Sequence, residues 1–139
     1  MILNTNKEKN WVARLDNADN FYNTMQEWAK AHDFNTFPRF FMPWDIFVLS
    51  ENNNDVYCVS LYVADHIAFL CFPLSNKKIK HSPYGLSFLY ETIDKYCNYL
   101  NIKVLITTAG VDNYKRFLEK NKWKETNLKD EDYYIKTFK

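Results

Sequence analysis

Glycine is nearly missing from this chain: two residues in 139, with four prolines, are all the usual turn-shapers it has. Long apolar runs are missing too, and none approaches the roughly 18 residues that span a bilayer, so no membrane partner is expected. The opening MILNTNKEKNW lacks both an apolar stretch and a small-residue cleavage site, so it does not read as a secretory leader. There is no excess of charge of one sign: 18 Lys and Arg face 17 Asp and Glu, a net of +1. Such a balance does not advertise nucleic acid or an anionic membrane. Metal-ligand spacings are absent as well. His32, His66 and His81 are scattered, no CxxC or HExxH occurs, and the turn from Ser50 to Asp55 lacks calcium-loop spacing, so no metal is expected. Cys58, Cys71 and Cys97 are odd in number and lie in apolar stretches, which predicts free buried thiols in a reducing, cytoplasmic compartment.

What is present is aromatic. Ten Tyr, eleven Phe and four Trp make 18% of the chain, and 47% is hydrophobic against 25% charged. Each large ring can bury roughly 150–250 Å², so one globular domain spanning residues 1–139 is expected to have a sizeable core. Fifteen of the 18 basic residues are Lys and 16 residues are Asn, the usage an AT-rich genome imposes.

Hydrophobic periodicity orders the chain. Trp11–Leu15 reads as a strand, and Phe21, Met25, Trp28 and Ala29 mark one face of a helix from Asn17 to about His32. Strand-like runs follow at 46–49, 56–63 and 67–72, an antiparallel meander whose third member is expected to stop at Pro73. Ser82-Pro83 predicts a helix start, with Ser as N-cap and Pro at the first helical position, before a helix carrying Leu89, Ile93, Tyr96, Cys97 and Leu100 on one face. A strand at 102–106, a helix from Asp112 carrying Tyr114, Phe117 and Leu118, and strands at 123–128 and 133–138 complete the chain. The fold class is therefore mixed α/β: about seven strands, mostly antiparallel, with a βαβ crossover that makes its two strands parallel neighbours, and flanking helices.

The last third carries a family resemblance. Tyr114-Lys115-Arg116-Phe117-Leu118-Glu119-Lys120-Asn121-Lys122-Trp123 resembles the late helix of the GNAT (GCN5-related N-acetyltransferase) family, A-x-x-F-Y-E-K-x-G-F, matching at Phe117, Glu119 and Lys120. Ser82-Pro83-Tyr84-Gly85-Leu86-Ser87 lies where the family has its pyrophosphate loop, Q/R-x-x-G-x-G/A. The departures are Leu118, where many members have a general-acid Tyr, Val111, near a frequent cofactor-contacting Asn, and the single glycine of the loop. A narrower likeness, carried by Arg116-Phe117-Leu118 and the closing strand pair, is to short GNAT-like chains of tailed phages, internal virion proteins among them.

The resemblance implies an acetyl-CoA-dependent N-acyltransferase of an unspecified amine. Its alternative is a GNAT-fold protein that has lost catalysis and serves as a protein-binding or virion-associated component, in the host cytoplasm or the virion. On the first reading, acyl-CoA meets Lys80, Tyr84, Gly85, Leu86 and Ser87 at a helix N-terminus, with Lys77, Lys78 and His81 nearby. Backbone on the fourth family strand, at Leu70, Cys71 or Phe72, would face the thioester and supply the oxyanion donor. Tyr114, one turn before Leu118 on the same face, is the substitute acid, unless it is simply core packing. Asp65, His66 or Glu51 would be the base, unless they are only turn residues. The segment from Phe34 to Phe47 is too aromatic for a surface loop; it either completes the core or forms a wall for the amine, a protein partner or a second copy.

Overall fold

A computed structural model of the chain describes residues 1–34, 45–109, 112–126 and 133–138. The described elements are β1 (Ile2–Asn6), β2 (Trp11–Asn17), α1 (Ala18–Ala31), β3 (Asp45–Glu51), β4 (Asn54–Ala64), β5 (Ile67–Ser75), α2 (Gly85–Tyr99), β6 (Val104–Thr108), α3 (Asp112–Lys120), β7 (Lys124–Glu125) and β8 (Tyr133–Thr137). They form one eight-stranded sheet in the order β1-β2-β3-β4-β5-β6-β8-β7. The expected meander is present, and α2 carries the chain across to place β6 parallel to β5, Ile67 beside Val104 through Leu70 beside Thr107. The addition is β1, whose polar Asn4, Thr5 and Asn6 hide its strand character; among the described residues it is an edge strand paired only with β2.

Alternation along the strands sorts two cores. Ile46, Val48, Cys58 and Leu74 meet Phe21, Met25, Trp28 and Ala29 of α1 on one face. Phe47, Leu49, Val59, Leu61, Leu70 and Leu105 meet Leu89, Tyr90, Ile93 and Cys97 of α2 and Leu118 of α3 on the other. The side-chain oxygen of Asn17 caps α1 by accepting the Asn20 N–H at 3.0 Å. Turns that glycine would ordinarily shape fall to other residues here, and Asn10, Asp33, Asn52, Asn53, Asp65 and Asn101 all take left-handed backbone at turns and element ends. Asn and Asp tolerate that region because their short side chains hydrogen-bond locally.

Two expected boundaries move. β5 does not stop at Pro73 but runs to Ser75, because a β-bulge absorbs the proline. The register jumps from Ser60↔Cys71 to Cys58↔Leu74, so three residue steps on β5 oppose two on β4, and Phe72 stands at φ 57°. The helix after Ser82 begins two residues late. Pro83 and Tyr84 form a turn, Tyr84 is the N-cap residue, and Ser82 Oγ accepts the Tyr84 N–H at 3.2 Å.

Candidate functional site

β5 and β6 pair only as far as Leu70 and Thr107. Beyond that point β5 continues against β4 to Ser75, while β6 continues against β8 to Thr108. No strand among the described residues lies against the far edge of Cys71–Ser75, so the sheet opens there. Thr107 marks the end of the ladder: its Oγ1 donates to the Leu70 carbonyl at 3.0 Å where a further backbone donor would stand. The bulge at Phe72, a bulky residue in left-handed backbone, sits at the same place. Strain of that kind persists only where surrounding structure imposes it, and it gathers at functional sites.

The opening leads to the N-terminus of α2. Ser75 pairs with Tyr57, whose hydroxyl donates to the Ser82 carbonyl at 3.3 Å. Of the first amides of the helix, Tyr84 N–H is taken by Ser82 Oγ and Gly85 N–H by the Ser82 carbonyl. Leu86 and Ser87 N–H find no partner among the described residues, as expected in a first helical turn, and that turn has no acidic side chain. Tyr84 is 75% exposed beside them. Lys77 and Lys80 are exposed on the approach, whereas Lys78 is drawn aside to Glu27 of α1 at 2.6 Å. Gly85 also has a packing reason to be glycine. It is buried, and a Cβ there would lie 2.7 Å from Leu49 Cδ2, so the missing side chain lets α2 close on the sheet.

Between helices and opening lies a chain of hydroxyls. Tyr90 of α2 and Tyr114 of α3 share a hydrogen bond of 2.6 Å between their phenol oxygens, and the Thr107 side chain of β6 stands near enough to the Tyr114 phenol to favour its ionised form. Burial pushes the Tyr114 phenol up; Tyr90 and Thr107 pull it back without cancelling the effect. The Tyr90 phenol is raised further, by burial and by the neighbouring Tyr114. Both are therefore protonated at neutral pH. Leu118, one turn beyond Tyr114, is wholly enclosed in the core and touches no opening.

The three candidate bases do not join this group. Asp65 and His66 sit in the β4–β5 turn, at the opposite end of the sheet from the opening. Five residue steps separate His66 from Cys71, about 16 Å at a rise of roughly 3.3 Å per residue. There His66 Nδ1 contacts the Asn101 carbonyl at 3.1 Å, and its own carbonyl accepts the Lys103 N–H at 2.7 Å, fastening the turn to the start of β6. Glu51 is at the correct end, but its carboxylate already accepts the Trp11 indole N–H at 2.7 Å and the Ser82 N–H at 3.1 Å. It clamps the loop before α2. Cys71 is half-buried at the opening with its thiol raised by burial, while burial holds Cys58 and Cys97 far above reactivity. Of the aromatic segment from Phe34 to Phe47, residues 35–44 lie outside the described residues, as does Val111. Among the described residues no three His, Cys, Asp or Glu side chains gather as a metal site, and no helix is long and apolar enough to cross a membrane.

Neither Tyr90 nor Thr107 stands out in the sequence. Tyr90 reads as one more aromatic on an amphipathic helix. Thr107-Thr108, ending the apolar run Val104-Leu105-Ile106, was the available signal, since polar residues at the carboxyl end of a buried strand often face a crevice.

No family model matches the chain, and no curated protein matches it by sequence. Solved structures do match by shape. A probable acetyltransferase from Staphylococcus epidermidis ATCC 12228 superposes with a TM-score of 0.74 at 17% identity, covering 93% of this chain and 99% of its own. Apo FdhC, a nucleotide-linked sugar GNAT, gives 0.71 at 13% identity over 93% of this chain and 87% of its own. The PaiA N-acetyltransferase from Thermoplasma acidophilum, in complex with coenzyme A, gives 0.65 at 11% identity over 91% and 99%. Identities this low speak for architecture alone, and with the parallel β5–β6 pair, the bulge at Phe72 and the α2 N-terminus in place, the architecture is plain: the chain has the GNAT fold.

Proposed function

We propose that this single domain is an acyl-CoA-dependent N-acyltransferase, with acetyl-CoA as acyl donor and an amine as acceptor. The observation that carries the proposal is the parting of β5 and β6 after Leu70 and Thr107, with β5 running on to Ser75, whose pair Tyr57 hydrogen-bonds the loop just before α2. A thioester arm lying along Cys71–Ser75 would bring its pyrophosphate to the free Leu86 and Ser87 N–H groups, at the positive end of the helix dipole, with Lys80 and the exposed Tyr84 beside it. Gly85 contributes by letting that helix start sit close to the sheet. The coenzyme A bound by the Thermoplasma protein of the same fold supports this choice of donor.

In the reaction the amine nitrogen attacks the thioester carbonyl, whose developing negative charge is met by backbone N–H from the Leu70–Phe72 stretch of β5. With Asp65 and His66 at the far end of the sheet and Glu51 engaged, the amine proton passes to solvent. The carbon–sulfur bond then breaks, and the sulfur takes its electron pair and a proton from Tyr114. The cytoplasm, which supplies acetyl-CoA and keeps the three thiols reduced, is the matching compartment. No observation on the described residues favours the binding or virion-associated alternative.

The test is a thermal-shift titration with acetyl-CoA, using desulfo-CoA and ATP for comparison. A ligand at 100 times its dissociation constant adds about 2.7 kcal/mol, a rise of many degrees for a small domain. A saturable rise given by both CoA ligands and not by ATP is expected. An unmoved midpoint at millimolar acetyl-CoA refutes the proposal.

A further inference from the structure

Resting on the acyltransferase reading above, we propose that Tyr90 is a positioning residue of the reaction. Its buried hydroxyl, together with that of Thr107, holds the Tyr114 phenol at the β5–β6 opening and stabilises the phenolate left when Tyr114 gives its proton to the departing thiolate.

Three elements that are distant in sequence converge here. Tyr90 of α2 reaches the Tyr114 oxygen of α3 at 2.6 Å, and the Thr107 side chain at the end of β6 stands near enough to favour the ionised phenol. Thr107 has a single proton and donates it to the Leu70 carbonyl at 3.0 Å. Either hydroxyl of the Tyr90–Tyr114 pair can donate at rest, and once Tyr114 has given up its proton Tyr90 is the donor. Thr107 stands at the last residue pair before the strands part. Rings fix the phenol as firmly as the hydrogen bonds do. Tyr114 stacks on Phe117 with centroids 6.1 Å apart and planes 10° apart, and Tyr90 stands edge-on to both, at 6.4 and 5.0 Å.

Packing alone does not call for these hydroxyls. Tyr90 and Thr107 are buried in an otherwise apolar cluster, where each hydroxyl has a desolvation cost that phenylalanine or valine of similar shape avoids. A use for the polar atoms follows from the charge that forms on Tyr114. When the carbon–sulfur bond breaks, the electron pair goes to sulfur, the proton leaves Tyr114 Oη for that sulfur, and the phenolate keeps the Tyr90 donor and gains the Thr107 hydroxyl as it turns from Leu70. Solvent entering on product release returns the proton, so the net change is amine and acyl-CoA to amide and free thiol. Among the described residues the ionisable groups that act on Tyr114 are Tyr90 from α2 and the Cys71 thiol from β5; both are raised by burial and neutral, so no fixed charge among them competes with the two hydroxyls.

The experiment compares Y90F, Y114F, T107V and T107S with the intact chain. Thiol release from acetyl-CoA is followed with hydroxylamine as a small stand-in amine, acetyl-CoA binding is measured by calorimetry, and thermal melts check folding. Y114F is expected to lower kcat by about 100-fold, the lower range for loss of a general acid. Y90F and T107V should each lower kcat by about tenfold, the worth of one hydrogen bond to a charged oxygen, with acetyl-CoA affinity unchanged. T107S, which keeps the hydroxyl, should restore the rate. The alkaline limb of kcat should move to higher pH in Y90F, because a phenolate with one donor fewer forms less readily. A folded Y90F with unaltered kcat and an unmoved alkaline limb overturns the role of Tyr90 while leaving the acyltransferase reading standing. Failure of the intact chain to bind acetyl-CoA overturns both.

Discussion

Replacing Gly85 by alanine separates two reasons a glycine can stand at the start of α2. A Cβ at this position would lie 2.7 Å from Leu49 Cδ2, 3.6 Å from Tyr57 and 3.7 Å from Trp11. Leu49 is wholly buried in the same cluster as Trp11, so its methyl group cannot swing aside without moving other packed groups. Overpacking of this size costs about 1–3 kcal/mol. Alanine recovers up to about 0.5–1 kcal/mol of helix propensity, less at a first helical residue, which leaves G85A destabilised by about 1–2 kcal/mol. At roughly 4 °C per kcal/mol for a domain of this size, the midpoint should fall by about 4–8 °C. Urea unfolding of G85A, L49V and the double variant closes the cycle. L49V alone should cost about 1 kcal/mol for its lost methylene, and in its background G85A should cost nothing, because valine has no Cδ2. The new Cβ points into the sheet and away from the Leu86 and Ser87 N–H groups, so acetyl-CoA affinity should hold. A G85A protein as stable as its parent, or one equally destabilised with and without Leu49, refutes the packing explanation. Full stability with lost acetyl-CoA binding would instead make Gly85 a phosphate-approach glycine.

Placing tyrosine at Leu118, where GNAT enzymes commonly have their acid, should not create activity. The site is wholly enclosed, so L118Y is expected to lose about 1–3 kcal/mol in urea unfolding with no gain in thiol release, while L118A should lose about 2–5 kcal/mol. Asp55 sets an acid limit on stability. Burial raises its carboxyl, but hydrogen bonds from Arg14, at 2.6 and 3.0 Å, and from Ser50, with the Arg14 charge, outweigh burial and lower it. A depressed carboxyl contributes stability above its unfolded pKa of about 3.9 that is lost as pH falls through the lower folded value. Melts from pH 6 to about pH 2 should therefore show an acid decline that is shallower in D55N, and an equally steep D55N curve would contradict the assignment. Toward a thiol reagent in the native state, half-buried Cys71 should react before Cys58, and before Cys97, whose thiol burial has pushed up to about 12. Acetyl-CoA should protect Cys71; mass-mapped labelling that begins at Cys58 or Cys97 would contradict this order.

Most of the fold can be read from local pattern. The period of Phe21, Met25, Trp28 and Ala29 gives α1 to within a residue at either end, and the alternating runs after Asp45 give the meander, because both signals repeat within one element. The edges fail where a non-local partner decides. β1 has too little apolar pattern to stand out and exists by pairing with β2. β5 outruns Pro73 because β4 accepts a bulge beside it.

Of the candidate site, the sequence by itself determined the order of elements and the loop before α2; Tyr114, one turn before Leu118, was reached only through the family resemblance. Sequence could not tell which turn residues share an end of the sheet. Asp65 and His66 read as plausibly as any strand-end pair, yet the parallel crossover puts the opening at the far ends of β5 and β6. Only the tertiary structure brought Tyr90 to Tyr114, placed Thr107 near them while it bonds Leu70, and set Gly85 against a leucine 36 positions earlier in the chain. The physical reason is range. Helix and strand periods and caps act over a few residues along the chain, whereas a hydrogen-bond chain or a steric limit is set by whichever groups the sheet order brings within a few ångströms.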